Sequence, residues 1–534
     1  MMSNCYRAYV LFILMLTYTF NFVDRQIITI LAPYLKADLG ISDAQLGLLY
    51  GTAFALFYGL FGIALAKLAD GWSRVKTLAL GLSVWSLMTT ASGAASNFGQ
   101  LGAARIGVGV GEASASPAAI SLLGDYFRKE QRSTVIALYQ TGAFVGAGLS
   151  LIIGGLIVSG WQSAYGDAVH APFGLAGWQA AFIGVGLPGI LLAVLILTTV
   201  REPVRGELEG QPHPGNPRPF RSALAEAGMM FPPWSVLHIL RLGTSIDLRK
   251  NLTAIVAVIT AIALTTLATD GLLSENRRSS LFEVGRLSIT SNLVQWMAIG
   301  IAVYAAYSWT QSIRLRDPVA HRLIVGSPTF MGLTFACGFI TISMYSVNAF
   351  IFLYASRYLG FSAADGFGLG AIAAIAGLMG TATGGLIGDW AKRWHPSGRI
   401  YVVMVTQTLF TVATAIQYVT PNVTLFYVTY SLATFLLPTY FGAITATVQD
   451  LALPRIRGIA YAVQTLGTSI LGLGFGPYCV GLISDISGDL RMAILSILIS
   501  MPCALLCLWF VARNLPEAER TLLDRARAAG ESIS

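Results

Sequence analysis

Ala66-Lys67-Leu68-Ala69-Asp70-Gly71-Trp72-Ser73-Arg74-Val75-Lys76 is a short charged turn between two apolar runs, near 43–68 and 75–96. Far down the chain, Gly385-Leu386-Ile387-Gly388-Asp389-Trp390-Ala391-Lys392-Arg393 closes another apolar run, near 366–388. Both turns put a carboxylate at a helix end, with cations within the next four residues. A helical Asp that caps the next helix and pairs with its Arg can latch two helices in one arrangement and release them in another. Asp70, Arg74, Lys76, Asp389, Lys392 and Arg393 are therefore candidate latch residues. Their occurrence at matching places predicts two repeated bundles.

Working outward, the runs flanking these turns are too long and too apolar for a soluble core. Of 534 residues 55% are hydrophobic and 11% charged, and the mean hydropathy is +0.67. Soluble domains carry about 25% charged residues, and an apolar run of about 20 residues reads as a bilayer-spanning helix. Six such runs lie near 8–35, 43–68, 75–96, 98–123, 133–159 and 178–200. Six more lie near 328–357, 366–388, 400–419, 422–448, 457–484 and 490–512. Two extra runs, 251–269 and 292–313, stand between the sixes. The first run lacks a small-residue cleavage site and is read as a retained helix, not a removed leader.

The prediction is an all-α polytopic membrane protein with fourteen spans. Residues 1–200 form an N-terminal six-helix bundle and 201–250 a cytoplasmic linker, Pro- and Gly-rich over Gln211–Phe220, with an amphipathic helix near Trp234–Arg241. An inserted transmembrane hairpin occupies 251–326, a C-terminal six-helix bundle 327–513 and a cytoplasmic tail 514–534. With both termini cytoplasmic, 26 of the 34 Lys and Arg fall on the cytoplasmic side. Lys36, Arg277, Arg278, Arg286, Arg357 and Arg491 fall opposite, while Arg25 and Arg105 lie inside helices. That bias is the positive-inside pattern, and removing one extra span alone would invert the second half. The net charge of +8 is thereby assigned to cytoplasmic loops, not to nucleic-acid binding.

Chemistry-bearing motifs of other classes do not form. The five cysteines make no CxxC pair, and the five histidines lie in loops or the linker without metal-ligand spacing. No Gly run ends in the Lys-Ser or Lys-Thr of a phosphate-binding loop. The runs Gly142–Gly155 and Gly467–Gly481 read as close-packing surfaces. An enzyme, a metal centre and a cofactor are not expected.

The repeated turns resemble the signature loop of the major facilitator superfamily, Gly-x-x-x-Asp-(Arg/Lys)-x-Gly-x-(Arg/Lys)-(Arg/Lys). The first copy has Ala66, Gly71 and Ser73 where that pattern has Gly, a cation and Gly; the second keeps Gly385 and Asp389. The fourth run, Arg105-Ile106-Gly107-Val108-Gly109-Val110-Gly111-Glu112-Ala113-Ser114, resembles the family's Arg- and Gly-rich fourth helix. Within the superfamily the sequence is most similar to Spinster transporters, through Asn21-Phe22-Val23-Asp24-Arg25, Gly109–Ser114, Gly476-Pro477 and Ser484-Asp485. That resemblance implies proton-linked export or flipping of lysolipids or sphingoid lipids by alternating access. The anion:cation symporters look similar at the same first two places, with an Asp-Arg pair and a Gly-Glu-Ala turn, and imply proton-coupled movement of organic carboxylates. The inserted pair belongs to neither pattern and is expected to pack outside the transport path.

Charge at bilayer depth costs about 2.5–3.5 kcal/mol on insertion scales unless paired or hydrated. Asp24, Arg25, Arg105 and Glu112 break that rule, and all four are in the first bundle. Arg105 and Glu112 are seven apart, two helical turns, on one face, and the glycines between them let a neighbour approach. The resemblance places the first and fourth helices side by side. A carboxylate beside Arg stays ionised and takes a proton when separated and desolvated. Asp24 and Glu112 are therefore the expected protonatable groups with Arg105 their partner, and Arg25 is expected to hold an anionic head group. Tyr139, Gln140, Tyr345, Asn348 and Gln464 are polar positions in apolar runs. They are candidates for substrate contact or helix–helix hydrogen bonds.

The expected partners are a small amphiphilic substrate, protons and the lipid bilayer, with the chain acting as a monomer. The expected location is a bacterial cytoplasmic membrane. The alternative cargo is an organic anion or drug.

Overall fold

Within lipid, every backbone N–H and C=O must find its partner inside the chain, so a spanning segment that is not a barrel strand is a helix. The computed structural model follows that rule over most of its length and describes residues 3–166, 168–205, 216–273, 280–284 and 287–531. Arg277, Arg278, Arg286 and residues 211–215 of the Pro- and Gly-rich linker lie outside the described residues.

The first six helices are α1 (Asn4–Leu39), α2 (Asp43–Gly71), α3 (Arg74–Ser92), α4 (Phe98–Tyr126), α5 (Lys129–Tyr165) and α6 (Gly177–Thr199). In the linker are α7 (Pro219–Gly228) and α8 (Trp234–Leu242), then the extra pair α9 (Ser245–Leu272) and α10 (Ser291–Arg316). Short α11 (Pro318–Leu323) leads into α12 (Pro328–Leu359), α13 (Ala363–Trp394), α14 (Gly398–Val419), α15 (Val423–Asp450), α16 (Pro454–Ser487) and α17 (Leu490–Arg520). The tail forms α18 (Leu522–Ala528).

Helix starts follow the capping side chains. Ser42 and Gln45 form a reciprocal capping box at α2, Ser73 caps α3 and Asn97 caps α4. Gly40 ends α1 at φ 63°, the left-handed conformation that favours glycine.

Twelve of these helices are long and apolar enough to cross a membrane, against the fourteen expected from the apolar runs. The two that fall short are α3, which opens with Arg74 and Lys76, and α10, which carries Asn292, Gln295, Gln311, Arg314 and Arg316.

Between α9 and α10 the strands β1 (Ser280–Val284) and β2 (Leu287–Thr290) pair antiparallel, Val284 opposite Leu287, which the reading of apolar runs did not anticipate. The two helices are joined by buried amides: Asn251 donates to Gln311 Oε1 at 3.0 Å and accepts from Tyr304 at 2.9 Å. The outer face of α9 is bare, with only 6% of its most apolar window buried against 83% for α12, as expected of a helix lying against lipid.

The chain divides into two compact units. One comprises Met1–Ile41, Ala53–Ala227 and Ala349–Ile375; the other comprises Ser42–Thr52, Gly228–Asn348 and Ala376–Ser534. In the first, α1 lies along α5, and α4 packs on α2 and α3. In the second, α14 packs on α15 and α17, and α10 and the first turns of α2 pack on α16.

Candidate functional site

Glycines on α4 decide how deep its charges lie. A Cβ on Gly109 would fall 2.6 Å from the Phe54 carbonyl oxygen of α2, and one on Gly111 would fall 2.7 Å from the Trp85 nitrogen of α3. The helix therefore sinks against backbone on two sides, and Arg105 and Glu112 are carried fully inside, each 0% exposed. Asp24 is equally buried and Arg25 is 5% exposed, so the four charges gather in one interior.

The structure adds a pair that the sequence reading did not name. Glu112 is held by Arg25: Nη2 donates to Oε2 at 2.7 Å and Nε to the same oxygen at 3.0 Å. Arg105, expected as the carboxylates' partner, acts on both Asp24 and Glu112 through its charge and also donates to α1's main chain, from Nη1 to the Asp24 carbonyl and from Nη2 to the Arg25 carbonyl, both at 3.0 Å. Each helical carbonyl has a second lone pair to offer, so α1 accepts these bonds without losing its own.

Nor is Arg25 open to an anionic head group in this arrangement. Its guanidinium is surrounded by the rings of Phe22, Phe54 and Tyr58, with centroids 4.7, 4.4 and 4.8 Å away. Asn21, one turn earlier, accepts from its Nη2 at 3.3 Å. Aromatic faces attract a guanidinium, which helps to hold a buried cation.

Asp24 stands apart within the cluster. Among the described residues neither of its buried carboxyl oxygens meets a donor at hydrogen-bonding geometry. Glu112 and Arg105 are the charges that act on it, and the Trp85 indole N–H is the donor turned toward it.

The candidate contact residues fall into separate places. Tyr139 is buried and stacks on Tyr18 of α1 with centroids 4.5 Å apart, while Gln140 is exposed. In the second unit, Tyr345 and Gln464 line a cavity of about 100 Å³ with Tyr440, Phe441 and Tyr461, and Gln464 donates to the Cys337 sulfur at 3.5 Å. Asn348 is half-buried and outside that lining. The lining is aromatic and hydroxylic, without a charged side chain.

The two turns are also wired differently from the expectation. In the first, Asp70 is exposed and the cap on α3 is Ser73, whose hydroxyl accepts from the Lys76 N–H at 3.2 Å. The hub is Arg74, which is buried, ion-pairs with Asp125 and meets Glu202 at 2.7 Å. In the second, Asp389 is engaged by Arg399 at 2.5 Å, and Arg399 reaches Asp450 at 2.8 Å. Lys392 joins that network through Asp450 and Glu519, whereas Arg393 is exposed. Asp125, Glu202, Arg399 and Asp450 were missed because each lies far along the chain or outside a turn motif. Among the described residues no group of three or more His, Cys, Asp or Glu gathers as a metal site would require.

Repeated bundles of long apolar helices, paired ion-bound turns and a charge cluster under a Gly-rich fourth helix meet in one sequence pattern, that of the Major Facilitator Superfamily, which matches residues 14–477. The chain belongs to the major facilitator superfamily. It is thus an integral multi-pass membrane transporter and not an enzyme. This major facilitator is 34% identical over 188 residues to an MFS-type efflux pump of Mycolicibacterium smegmatis, covering 35% of this chain and 40% of that protein. It is 32% identical over 209 residues to protein spinster homolog 1 of Xenopus laevis, covering 38% and 37%. It is 26% identical over 228 residues to the hexuronate transporter of Bacillus subtilis, covering 42% and 50%. The matches thus span half or less of these curated relatives. In fold, the chain is similar to a bacterial homolog of the human lysosomal transporter Spinster, in an inward-facing, occupied conformation. The TM-score is 0.64 at 24% identity, covering 98% of this chain and 99% of that one.

Proposed function

We propose that this major facilitator is a proton-coupled secondary transporter that works by alternating access and moves an amphiphilic lipid of lysophospholipid or sphingoid type. The observation that carries the reading is Asp24, a fully buried carboxyl that faces a second buried carboxyl, Glu112, beside the Arg25–Glu112 pair. An ionised carboxylate left that way costs several kcal/mol, whereas a protonated one is tolerated. Asp24 holds the proton in this arrangement. When α1 and α4 shift, Glu112 loses Arg25 and becomes the second acceptor, while the Arg105 clamp on α1's carbonyls keeps the helices in register.

The lipid reading draws support from the uncharged cavity lining in the second unit, which offers no second cationic clamp, and from the likeness to spinster proteins. The hexuronate transporter among the relatives favours the alternative, a proton-coupled carrier of organic anions, in which Arg25 becomes the clamp once Glu112 is neutral.

Fourteen spans with both termini cytoplasmic, in a bacterial cytoplasmic membrane, complete the proposal, with the monomer as the working unit. At about 1.5 Å per residue, the 19 residues of α3 reach about 28 Å, nearly the hydrocarbon core of about 30 Å, and the 26 of α10 reach about 39 Å, beyond it.

The test is lysophospholipid movement in proteoliposomes under an imposed pH gradient, comparing wild type with Asp24→Asn and Glu112→Gln. Gradient-driven movement lost in both variants is the expected result. No movement by well-folded wild type, with uptake of a hexuronate in its place, transfers the assignment to organic anions. Movement indifferent to both substitutions makes the cluster structural.

A further inference from the structure

Among the described residues the inserted pair contributes no side chain to the lining of the second-unit cavity, yet its second helix is bonded to the rest of that unit in a buried place. Residues Ser469–Phe475 of α16 form a π-helical segment, a wider turn that occurs often at functional sites. Its Gly474 carbonyl accepts two side-chain donors at once, Thr52 Oγ1 of α2 at 2.5 Å and Gln295 Nε2 of α10 at 3.0 Å. One turn on, Tyr478 donates to Asn292 Oδ1 of α10 at 2.6 Å. Asn292 in turn donates to Asp270 at 2.6 Å, tying the connection back to α9. Thr52, Asn292, Gln295 and Tyr478 are all buried. Inside a bilayer no water replaces such bonds when they break.

The helix that α10 grips is the one against which α2 starts. A Cβ on Gly47 would fall 2.3 Å from the Pro477 carbonyl oxygen, and one on Gly51 would fall 2.2 Å from the Leu473 carbonyl oxygen, so the two helices meet backbone to backbone. Asp485 of α16 closes this seam by accepting the N–H groups of Asp43 and Ala44 at 3.0 and 2.8 Å, a carboxylate on the positive end of a helix. Ser42–Thr52 accordingly cluster with the second unit, while α2 from Ala53 onward belongs to the first.

We infer that the inserted pair is a brace for this seam. Gln295 and Asn292 hold the π segment of α16 in the shape that receives α2, and so set how readily the first turns of α2 leave α16. The inference rests on the alternating-access reading, in which one end of a carrier must part while the other closes. It gives the extra helices a role that the six-plus-six carrier alone does not need: tuning the rate of that parting without touching cargo.

Amide hydrogen exchange on the purified full-length protein in nanodiscs, without substrate or gradient, tests it. The peptides to follow cover 42–52 and 469–475. Gln295→Met and Tyr478→Phe each remove a polar contact at little change in volume. Ser308→Ala is the control, since it breaks a different buried bond of α10, to the Met229 carbonyl at 2.8 Å. Each brace variant is expected to speed exchange in both peptides by roughly fivefold to tenfold, the scale of one lost buried hydrogen bond, and Ser308→Ala to leave them unchanged. Exchange unaltered by both brace variants, or raised equally by Ser308→Ala, overturns the brace. Faster exchange in a protein that moves no lysolipid supports the brace and faults only the cargo assignment.

Discussion

The first unit buries Asp24, Arg25, Arg105 and Glu112 together, two of each sign, whereas the second buries mainly amides and hydroxyls such as Asn292, Gln295, Gln407, Gln417 and Tyr440. The buried carboxylates of the second unit, Asp43 and Asp247, sit at helix starts, where Asp43 accepts from the Ser484 hydroxyl and Asp247 completes a capping box with Thr244 and ion-pairs with Arg314. Amides stay neutral at every physiological pH and bond the same way in each state. Carboxylates and guanidiniums trade partners and protons. The asymmetry gives the first unit the groups that can exchange protons and leaves the second to shape and hydrogen bonding.

The largest effect that bears on this contrast comes from breaking the ion pair on one side only. Glu112→Leu leaves the Arg25 guanidinium buried without its counter-charge and should cost about 3–5 kcal/mol, read as a fall in unfolding midpoint in detergent. The double variant Arg25→Met with Glu112→Leu should recover most of that loss. Recovery absent from the double variant would mean that the pair is not the unit of stability.

A smaller effect is expected in the neutral interior. Gln407 donates to the Leu437 carbonyl at 3.2 Å. Gln407→Leu should cost about 1 kcal/mol and leave the pH dependence of transport where it is in wild type. A shifted pH profile in that variant would break the contrast between the units.

The smallest effect lies outside both interiors. Arg455 ion-pairs with Asp317 and with Glu531 of the tail, each at 2.5 Å. The Arg455 hydrogen bond holds the Asp317 carboxyl below its ordinary range. A carboxyl depressed in the folded state contributes stability above its unfolded pKa and loses it as pH falls through the folded value. Amide exchange across α18 should therefore rise only below about pH 4, and Arg455→Gln should produce the same rise at neutral pH.

Much of this architecture is legible in the sequence because lipid imposes a simple grammar. Apolar runs gave the helices, and the few charges inside them named the α1–α4 cluster. The partners within that cluster were not legible. A spacing of seven puts Arg105 and Glu112 on one face of α4, but nothing local gives the rotation of α1 that turns Arg25 onto Glu112. Arg74's partners lie 51 and 128 residues away, so the turn motif could show the hub but not its spokes. The π segment was invisible for another reason: Gly467–Gly481 reads as close packing, which it is at the α2 seam, while the additional carbonyl acceptor is a matter of helix winding and leaves no residue signature.

One consequence of the Arg105 contacts reaches beyond energetics. Arg105 grips α1 by the carbonyls of residues 24 and 25, groups every amino acid possesses. The mount is thus independent of the side chains mounted on it. Mutation can exchange the side chains at 24 and 25 while the helix stays in its fitting. A scaffold arranged like that separates inheritance of the machine from inheritance of its cargo, which is how close relatives can come to carry unlike molecules.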